Sequence, residues 1–213
     1  MSRKALAHLR KNDPVLAKII AEVGPCRLKP NAEGTHFDHV VRAIVYQQLS
    51  GKAAATIHGR VKALFGGRNP TPQELLSTPE ESLRGAGLSR QKLGYLRDFA
   101  QRIVEGEVPI DSLHELDDEA VIEALTKVKG IGRWTAQMFL MFRLGRPNVL
   151  PTVDLGINKA VMRAYGLRRM PKPKQLLKIG ASWAPFATVA CWYLWRSLEL
   201  PRAPQTSRKR KAK

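Results

Sequence analysis

Two glycines around one isoleucine, Gly130-Ile131-Gly132, stand between two runs of helical periodicity, and no other feature restricts the fold as tightly. Residues 117 to 128 read as one helix, Lys129 to Gly132 as its turn, and Arg133 to Phe142 as a second helix. Glycines let the backbone turn sharply there, so that unpaired amides at the start of the second helix can point at one anion. An ordinary hairpin with glycines for packing is the alternative. Lys129 and Arg133, on either side of the turn in a very basic chain, favour a nucleic-acid phosphate. Such a hairpin grips backbone and does not read sequence. The carbonyls of Thr126, Val128 and Ile131 are also open to a structural cation.

Charge supports a polyanionic partner. The 213 residues carry a net charge of +18, with a sequence pI near 10.4. The tail Arg202–Lys213 holds six of those positives and no acid, which leaves +12 on the body. Nucleic acid is the usual partner of such a body, although membrane surfaces attract basic proteins too. At 44% apolar and 25% charged residues the chain can bury a sizeable core. Cys26 and Cys191 alone cannot form a four-cysteine zinc or iron-sulfur site, and they suggest no disulfide framework. The first residues contain Arg3, Lys4, Arg10 and Lys11 but no apolar stretch of a secretory signal. The longest apolar run, Trp183 to Trp195, contains Pro185 and is shorter than the ~20 residues that span a bilayer. A soluble, intracellular protein with no membrane partner is expected, and a monomer.

Helical periodicity runs through Val15, Ile19 and Val23, through Val40, Val41, Ile44 and Val45, and through Ile57, Val61, Leu64 and Phe65. No stretch alternates as a strand would. Thr78-Pro79-Glu80-Glu81 reads as a helix start, with Thr78 as N-cap, and Gly66 and Gly166 read as helix ends. The spacing predicts roughly nine or ten short helices in an all-α, two-lobed bundle with an active-site cleft between the lobes. Residues 1–35 form an arm and helix on the second lobe, 36–149 the lobe with the hairpin (117–142), and 150–201 the second lobe. Residues 202–213 are expected to be a disordered basic tail.

A single acid, Asp154, lies downstream of the hairpin in Leu150-Pro151-Thr152-Val153-Asp154-Leu155-Gly156. On its own it reads as the N-cap of a helix through Leu155, Ile157 and Val161. With the hairpin upstream it also reads as a catalytic carboxylate, and the two roles can coexist at one helix start.

Five motifs in this order carry a resemblance: Tyr46-Gln47-Gln48-Leu49-Ser50, the run Gly87-Leu88-Ser89-Arg90-Gln91-Lys92, the hairpin through Ala136, the Asp154 segment, and Trp183-Ala184-Pro185-Phe186. From about His36 to about Trp195 the chain resembles the helix-hairpin-helix DNA glycosylases. Within them it is similar to the compact 3-methyladenine (alkylbase) branch shared by bacteria and yeasts. The resemblance implies a monofunctional glycosylase of base excision repair that flips alkylated bases, 3-methyladenine first and 7-methylguanine next, out of double-stranded DNA. It implies Asp154 as the catalytic aspartate. A flipped cationic base would be held by electron-rich rings. Trp134 is the first candidate, and Tyr46, Phe186 and Trp183 follow, with core packing as the alternative for each.

By the resemblance, the Tyr-Gln-Gln-Leu-Ser motif puts the family's intercalating wedge on Gln48, with Leu49 one register away and Leu88 pressing on the opposite strand; a helix-end glutamine that hydrogen-bonds a neighbouring turn is the alternative for Gln48. Backbone contacts would come from Ser50, Lys52, Arg90, Lys92, Lys129, Gly130, Gly132, Arg133 and Thr135. Strand-cleaving relatives place a lysine where Trp134 stands, and a tryptophan forms no Schiff base, so no lyase activity is expected. No cofactor is required, and no iron-sulfur cluster is expected. Location would be nucleoid-associated in a bacterium and nuclear in a eukaryote. Ala187 and Met138 stand where relatives often carry arginine and tyrosine, which bears on substrate range. The alternatives are a non-catalytic helix-hairpin-helix module and a glycosylase of this fold for mispaired or oxidised bases.

Overall fold

The structure, a computed structural model, describes residues 3–201; the expectation for the basic tail lies outside these. Among the described residues it is all-α, with no strand. The first break comes at Asp13-Pro14. Proline has no amide hydrogen and suits a first helical turn, so α1 (Arg3–Asn12) ends and α2 (Pro14–Val23) starts with Asp13 as its N-cap. α3 (His36–Tyr46) opens on a capping box. The Thr35 hydroxyl accepts from the Asp38 amide, and the Asp38 carboxylate accepts from the Thr35 amide at 2.7 Å. α4 (Gly51–Ala63), α5 (Pro72–Ser77), α6 (Glu80–Gly85) and α7 (Arg90–Val104) follow, with a second capping box at Thr71 and Glu74.

A 3-10 turn, Ile110–Glu115, leads to α8 (Asp118–Thr126) and α9 (Arg133–Phe142). After these come α10 (Leu155–Ala164), α11 (Pro173–Gly180), a 3-10 turn at Ala181–Trp183, and α12 (Ala187–Ser197). The twelve α-helices among the described residues exceed the expected nine or ten. The surplus lies in six-residue pieces such as α5 and α6, which are too short for a 3.6-residue period to show. Thr78 is not the N-cap that its motif suggests. It ends α5, its hydroxyl donating to the Glu74 carbonyl at 2.6 Å, and Pro79 precedes α6 without any side-chain cap.

The chain divides into two compact units, one from Lys29–Val149 and one from the described residues of Met1–Leu28 and Leu150–Lys213. In the first, α3 buries Phe37, Val40, Val41, Ile44 and Val45 against α4, α7 and α9. Each such side chain contributes about 1.5–3 kcal/mol of transfer free energy. Phe37 stacks on Phe99 with ring centres 5.1 Å apart. Arg143, just past α9, donates to the carbonyls of Asn31 (2.8 Å) and Gly34 (2.6 Å) and to His36 Nδ1 (2.9 Å), which fastens the loop before α3.

The second unit packs α2 on α1 and α12, and α12 on α10. Its centre is a buried carboxylate. Asp13 Oδ1 accepts from the amides of Val15 and Leu16, while Oδ2 accepts from Tyr165 Oη (2.5 Å) and Trp183 Nε1 (2.8 Å). Four donors to one carboxylate offset its desolvation. Burial, with Asp13 adding to it, pushes the Tyr165 hydroxyl far above its ordinary range, so it stays protonated and keeps its proton to donate to Asp13.

Candidate active site

In the unit of Lys29–Val149, Asp117 caps α8 by accepting from the Ala120 amide at 2.9 Å, and the chain reverses through Gly130 to start α9 at Arg133. Gly130 has φ +82°, and a Cβ there would lie 2.2 Å from the Tyr95 ring, so both conformation and space require glycine. Val128 and Ile131 are buried beneath the turn, which leaves Lys129, Gly130, Gly132 and Arg133 on its outer surface. Gly132 provides no side-chain cap for α9. This is the arrangement in which first-turn amides and the helix dipole favour an anion.

The turn is held from α7. The Lys129 amide donates to Asp98 Oδ2 at 2.8 Å, and Arg102 Nε donates to the same oxygen at 3.1 Å. Burial by itself raises the Asp98 pKa, but these partners together outweigh it and hold the carboxyl below its ordinary value. Arg133 is engaged within the hairpin, donating twice to Glu119 at 2.9 and 2.5 Å. Among the described residues no cluster of His, Cys, Asp and Glu is arranged to hold a metal ion. Thr126, Val128 and Ile131 would offer neutral carbonyls only, a donor set suited to a monovalent cation, and the Val128 carbonyl already accepts from the Ile131 amide at 3.1 Å.

The loop between α3 and α4 carries the expected wedge. Gln48 is exposed and has φ +56°, the one non-glycine in the left-handed region among the described residues. Such strain persists only where surrounding structure imposes it, and it concentrates at functional positions. Beside it, Gln47 Nε2 donates to the Gly130 carbonyl at 2.9 Å, joining the loop to the hairpin turn. Leu49 is also exposed.

Two expected contacts serve the protein itself. Ser50 caps α4, accepting from the Ala53 amide at 3.3 Å. Lys92 donates to the Val45 carbonyl at 2.6 Å, at the end of α3, and burial lowers its pKa. Lys92 thus commits one of its three donors to the end of α3 and lies half-buried on the cavity wall. Leu88 is buried at 2% exposure, under the α6–α7 turn, so it is a core residue and not a surface finger. Lys52 and Arg90 are exposed.

A cavity of about 960 Å³ opens in this unit between the wedge loop, α7 and α9, and its walls include Tyr46, Gln48, Tyr95, Trp134, Thr135 and Met138. It is at the upper end of ligand-pocket sizes. Trp134 is 45% exposed, well above a core tryptophan. Tyr46 is already occupied on one face. The Arg42 guanidinium lies 4.0 Å from its ring centre, and His58 meets its edge at 6.1 Å.

Asp154 belongs to the other unit. It is the N-cap of α10, with Oδ1 accepting from the Ile157 amide at 2.7 Å and from Trp195 Nε1 at 3.0 Å. Only 8% exposed, it is flanked by two exposed apolar residues, Val153 and Leu155. Asn158 donates through Nδ2 to the carbonyls of Thr152 (2.9 Å) and Asp154 (2.7 Å) and so holds the turn that presents the carboxylate. Cys191 lies close to Asp154. Burial first, and that carboxylate second, raise its thiol far above the ordinary range, which keeps it uncharged.

Two of the expected pocket rings also lie in this unit. Trp183 is fully buried and spends its N–H on Asp13, so it is core and not pocket wall. Phe186 is half-buried, packed edge-on against His8 at 5.4 Å. Sequence reading missed Trp195, Asn158, Gln47, Asp98 and Tyr95. Only Asn158, one turn past Asp154 on the same helix face, had a local signal that would have found it.

The model of the family described as HhH-GPD superfamily base excision DNA repair protein matches residues 41–186. DNA-3-methyladenine glycosylase 1 of Schizosaccharomyces pombe is 36% identical over 197 residues, covering 92% of this chain and 86% of its own. The crystal structure of a DNA-3-methyladenine glycosidase from Bacillus halodurans superposes with a TM-score of 0.81 at 38% identity, covering 92% of this chain and 89% of that one. The 3-methyladenine DNA glycosylase Mag1 of S. pombe, in complex with abasic DNA, gives 0.80 at 35% identity, covering 92% and 97%. Hairpin, capped aspartate and these likenesses agree, and the chain belongs to the HhH-GPD superfamily of base excision DNA repair proteins.

Proposed function

We propose that the protein is a monofunctional DNA glycosylase that excises alkylated bases, 3-methyladenine and 7-methylguanine first, from double-stranded DNA. One observation carries the reading: a nearly buried carboxylate, Asp154, fixed by the Ile157 amide and the Trp195 indole in a chain whose relatives are named for 3-methyladenine. In the proposed reaction the hairpin grips one phosphate, Gln48 enters the stack, and the target base turns out of the duplex toward Trp134. A base alkylated on a ring nitrogen already carries positive charge. The C1′–N bond breaks with its electron pair going to the base, which leaves neutral, so no strong general acid is needed. Positive charge develops on the sugar, and the ionised Asp154 stabilises it there. Water then adds to C1′ and loses a proton, leaving an abasic site.

Trp134 supplies the exposed ring for a cationic base. Tyr46 is a lesser wall, because Arg42 covers one face. The carbonyls of Thr126, Val128 and Ile131 would hold a monovalent cation that adds positive charge between turn and phosphate. The proposed unit of action is a monomer wherever the genome lies; among the described residues no helix is long and apolar enough to cross a membrane.

The test is incubation with methylated duplex DNA in a buffer with a monovalent salt but no divalent metal or cofactor. Released 3-methyladenine, with strand breaks only after alkali, supports the assignment. Salt-sensitive binding without any released base would replace it with a non-catalytic module.

A further inference from the structure

Residues 155 to 198, which include α10, α11 and α12, contain no aspartate or glutamate. The same stretch holds eight lysines and arginines. Seven of these precede α12. Lys159 and Arg163 are one turn apart on α10, Arg168, Arg169 and Lys172 lie on the connection to α11, and Lys174 and Lys178 are one turn apart on α11. All seven are exposed.

Eight ion pairs are formed among the described residues. Seven are in the unit of Lys29–Val149, and the one in the other unit, Arg196 with Glu199, involves none of the seven cations. α11 is also charged against its own dipole. Lys172 stands at its N-cap without a side-chain cap bond, Lys174 is in its first turn, and no acid is there. Like charges so arranged repel one another and the helix start. That arrangement works against the fold, and an external polyanion relieves it.

We infer that the Arg168–Lys178 segment, with Lys159 and Arg163 beside it in sequence, is a second duplex-backbone surface, separate from the hairpin and carried on the unit that holds Asp154. The inference rests on the proposed function for the identity of its partner, double-stranded DNA. A row of exposed lysines and arginines without aromatic platforms matches phosphates rather than bases, so the surface adds affinity that is independent of sequence and of damage.

The test compares two variants that remove the same charge from the same unit. One combines Arg168→Gln, Arg169→Gln, Lys172→Gln, Lys174→Gln and Lys178→Gln. The other combines Arg3→Gln, Arg10→Gln, Lys11→Gln, Lys18→Gln and Arg27→Gln, all exposed positions. Binding to an undamaged duplex is measured by fluorescence anisotropy across a salt series, after thermal melting has checked that both variants fold. Should the fivefold variant not fold, the pair Lys174→Gln with Lys178→Gln is read in the same way against Lys11→Gln with Lys18→Gln.

The segment variant is expected to lose at least about tenfold in affinity near 0.1 M salt. Its plot of log K against log salt should be shallower by about 0.9 for each phosphate that is no longer neutralised, and the control should change little. An unchanged slope in the segment variant, or equal losses in both, overturns the inference in favour of net charge alone. The readout needs no excision. Failure of the wild-type protein to release methylated bases would remove the proposed activity and leave this result standing.

Discussion

At the scale of single residues, Asp154 combines two tasks that can be separated. Asparagine caps a helix as well as aspartate does, so Asp154→Asn should keep α10 and its fold while removing the charge that stabilises the sugar cation. Excision in single-turnover assays should fall by about two orders of magnitude or more, with duplex affinity equal or higher; full activity would take Asp154 out of the chemistry. Trp195→Phe keeps an aromatic ring and removes the N–H that Asp154 Oδ1 accepts. A hydrogen bond to a charged group is worth about 1.5–3 kcal/mol, so the rate constant for excision should drop roughly ten- to hundredfold while DNA binding holds. Equal losses in rate and binding would mean that Trp195 serves packing alone.

The carboxylate itself was legible in the sequence, because a lone acid before Leu155, Ile157 and Val161 is a cap pattern that needs only neighbouring residues. Its indole partner was not. Trp195 and Trp183 are both tryptophans near the end of the chain, and only the fold gives one to Asp154 and the other to Asp13.

Among the elements, Gly130 is where three meet: Gln47 of the wedge loop donates to its carbonyl, and Tyr95 of α7 packs against its backbone. Gly130→Ala should therefore act twice, by forcing a side chain into left-handed φ and by driving Cβ into the Tyr95 ring. A loss of about 1–3 kcal/mol in unfolding free energy is expected, together with weaker DNA binding. Adding Tyr95→Ala should recover the part due to the clash and leave the part due to φ. Strict additivity of the two changes in denaturant titrations would show that the ring is not the obstacle.

For the molecule as a unit, protonation of three partly buried histidines should weaken the fold as pH falls. His36, His39 and His58 all have lowered pKa values, first through burial. For His36 and His39 the Arg143 charge adds to it; for His58 a hydrogen bond to Asn69 opposes it without cancelling it. The folded protein thus binds fewer protons at these sites than the unfolded chain, whose histidines take them up near the ordinary value of 6.5. Stability from these groups is fully present above pH 6.5 and declines as pH falls below it. The melting temperature should drop as pH falls from about 6.5 to 5, and His36→Asn or His58→Asn should flatten that dependence. An equally steep dependence in both variants would assign the loss to general charge repulsion in a chain of net charge +18.

Whatever depends on near neighbours was readable from the order of residues: the helical class, the turn at Gly130, the cap at Asp154, and the sign of the partner's charge. Periodicity, glycine conformation and capping each act within about four residues, so each leaves a local trace. Which side chains face solvent emerged only from the packed fold. Leu88 and Trp183 have the chemistry of a finger and a pocket wall, yet both are buried, while Trp134 and Gln48 are exposed. The contacts that decide this span long stretches of chain, as with Trp183 on Asp13 or Gln47 on Gly130, and burial is set by the packing of several helices at once. No pattern within one helix records which distant element will cover it.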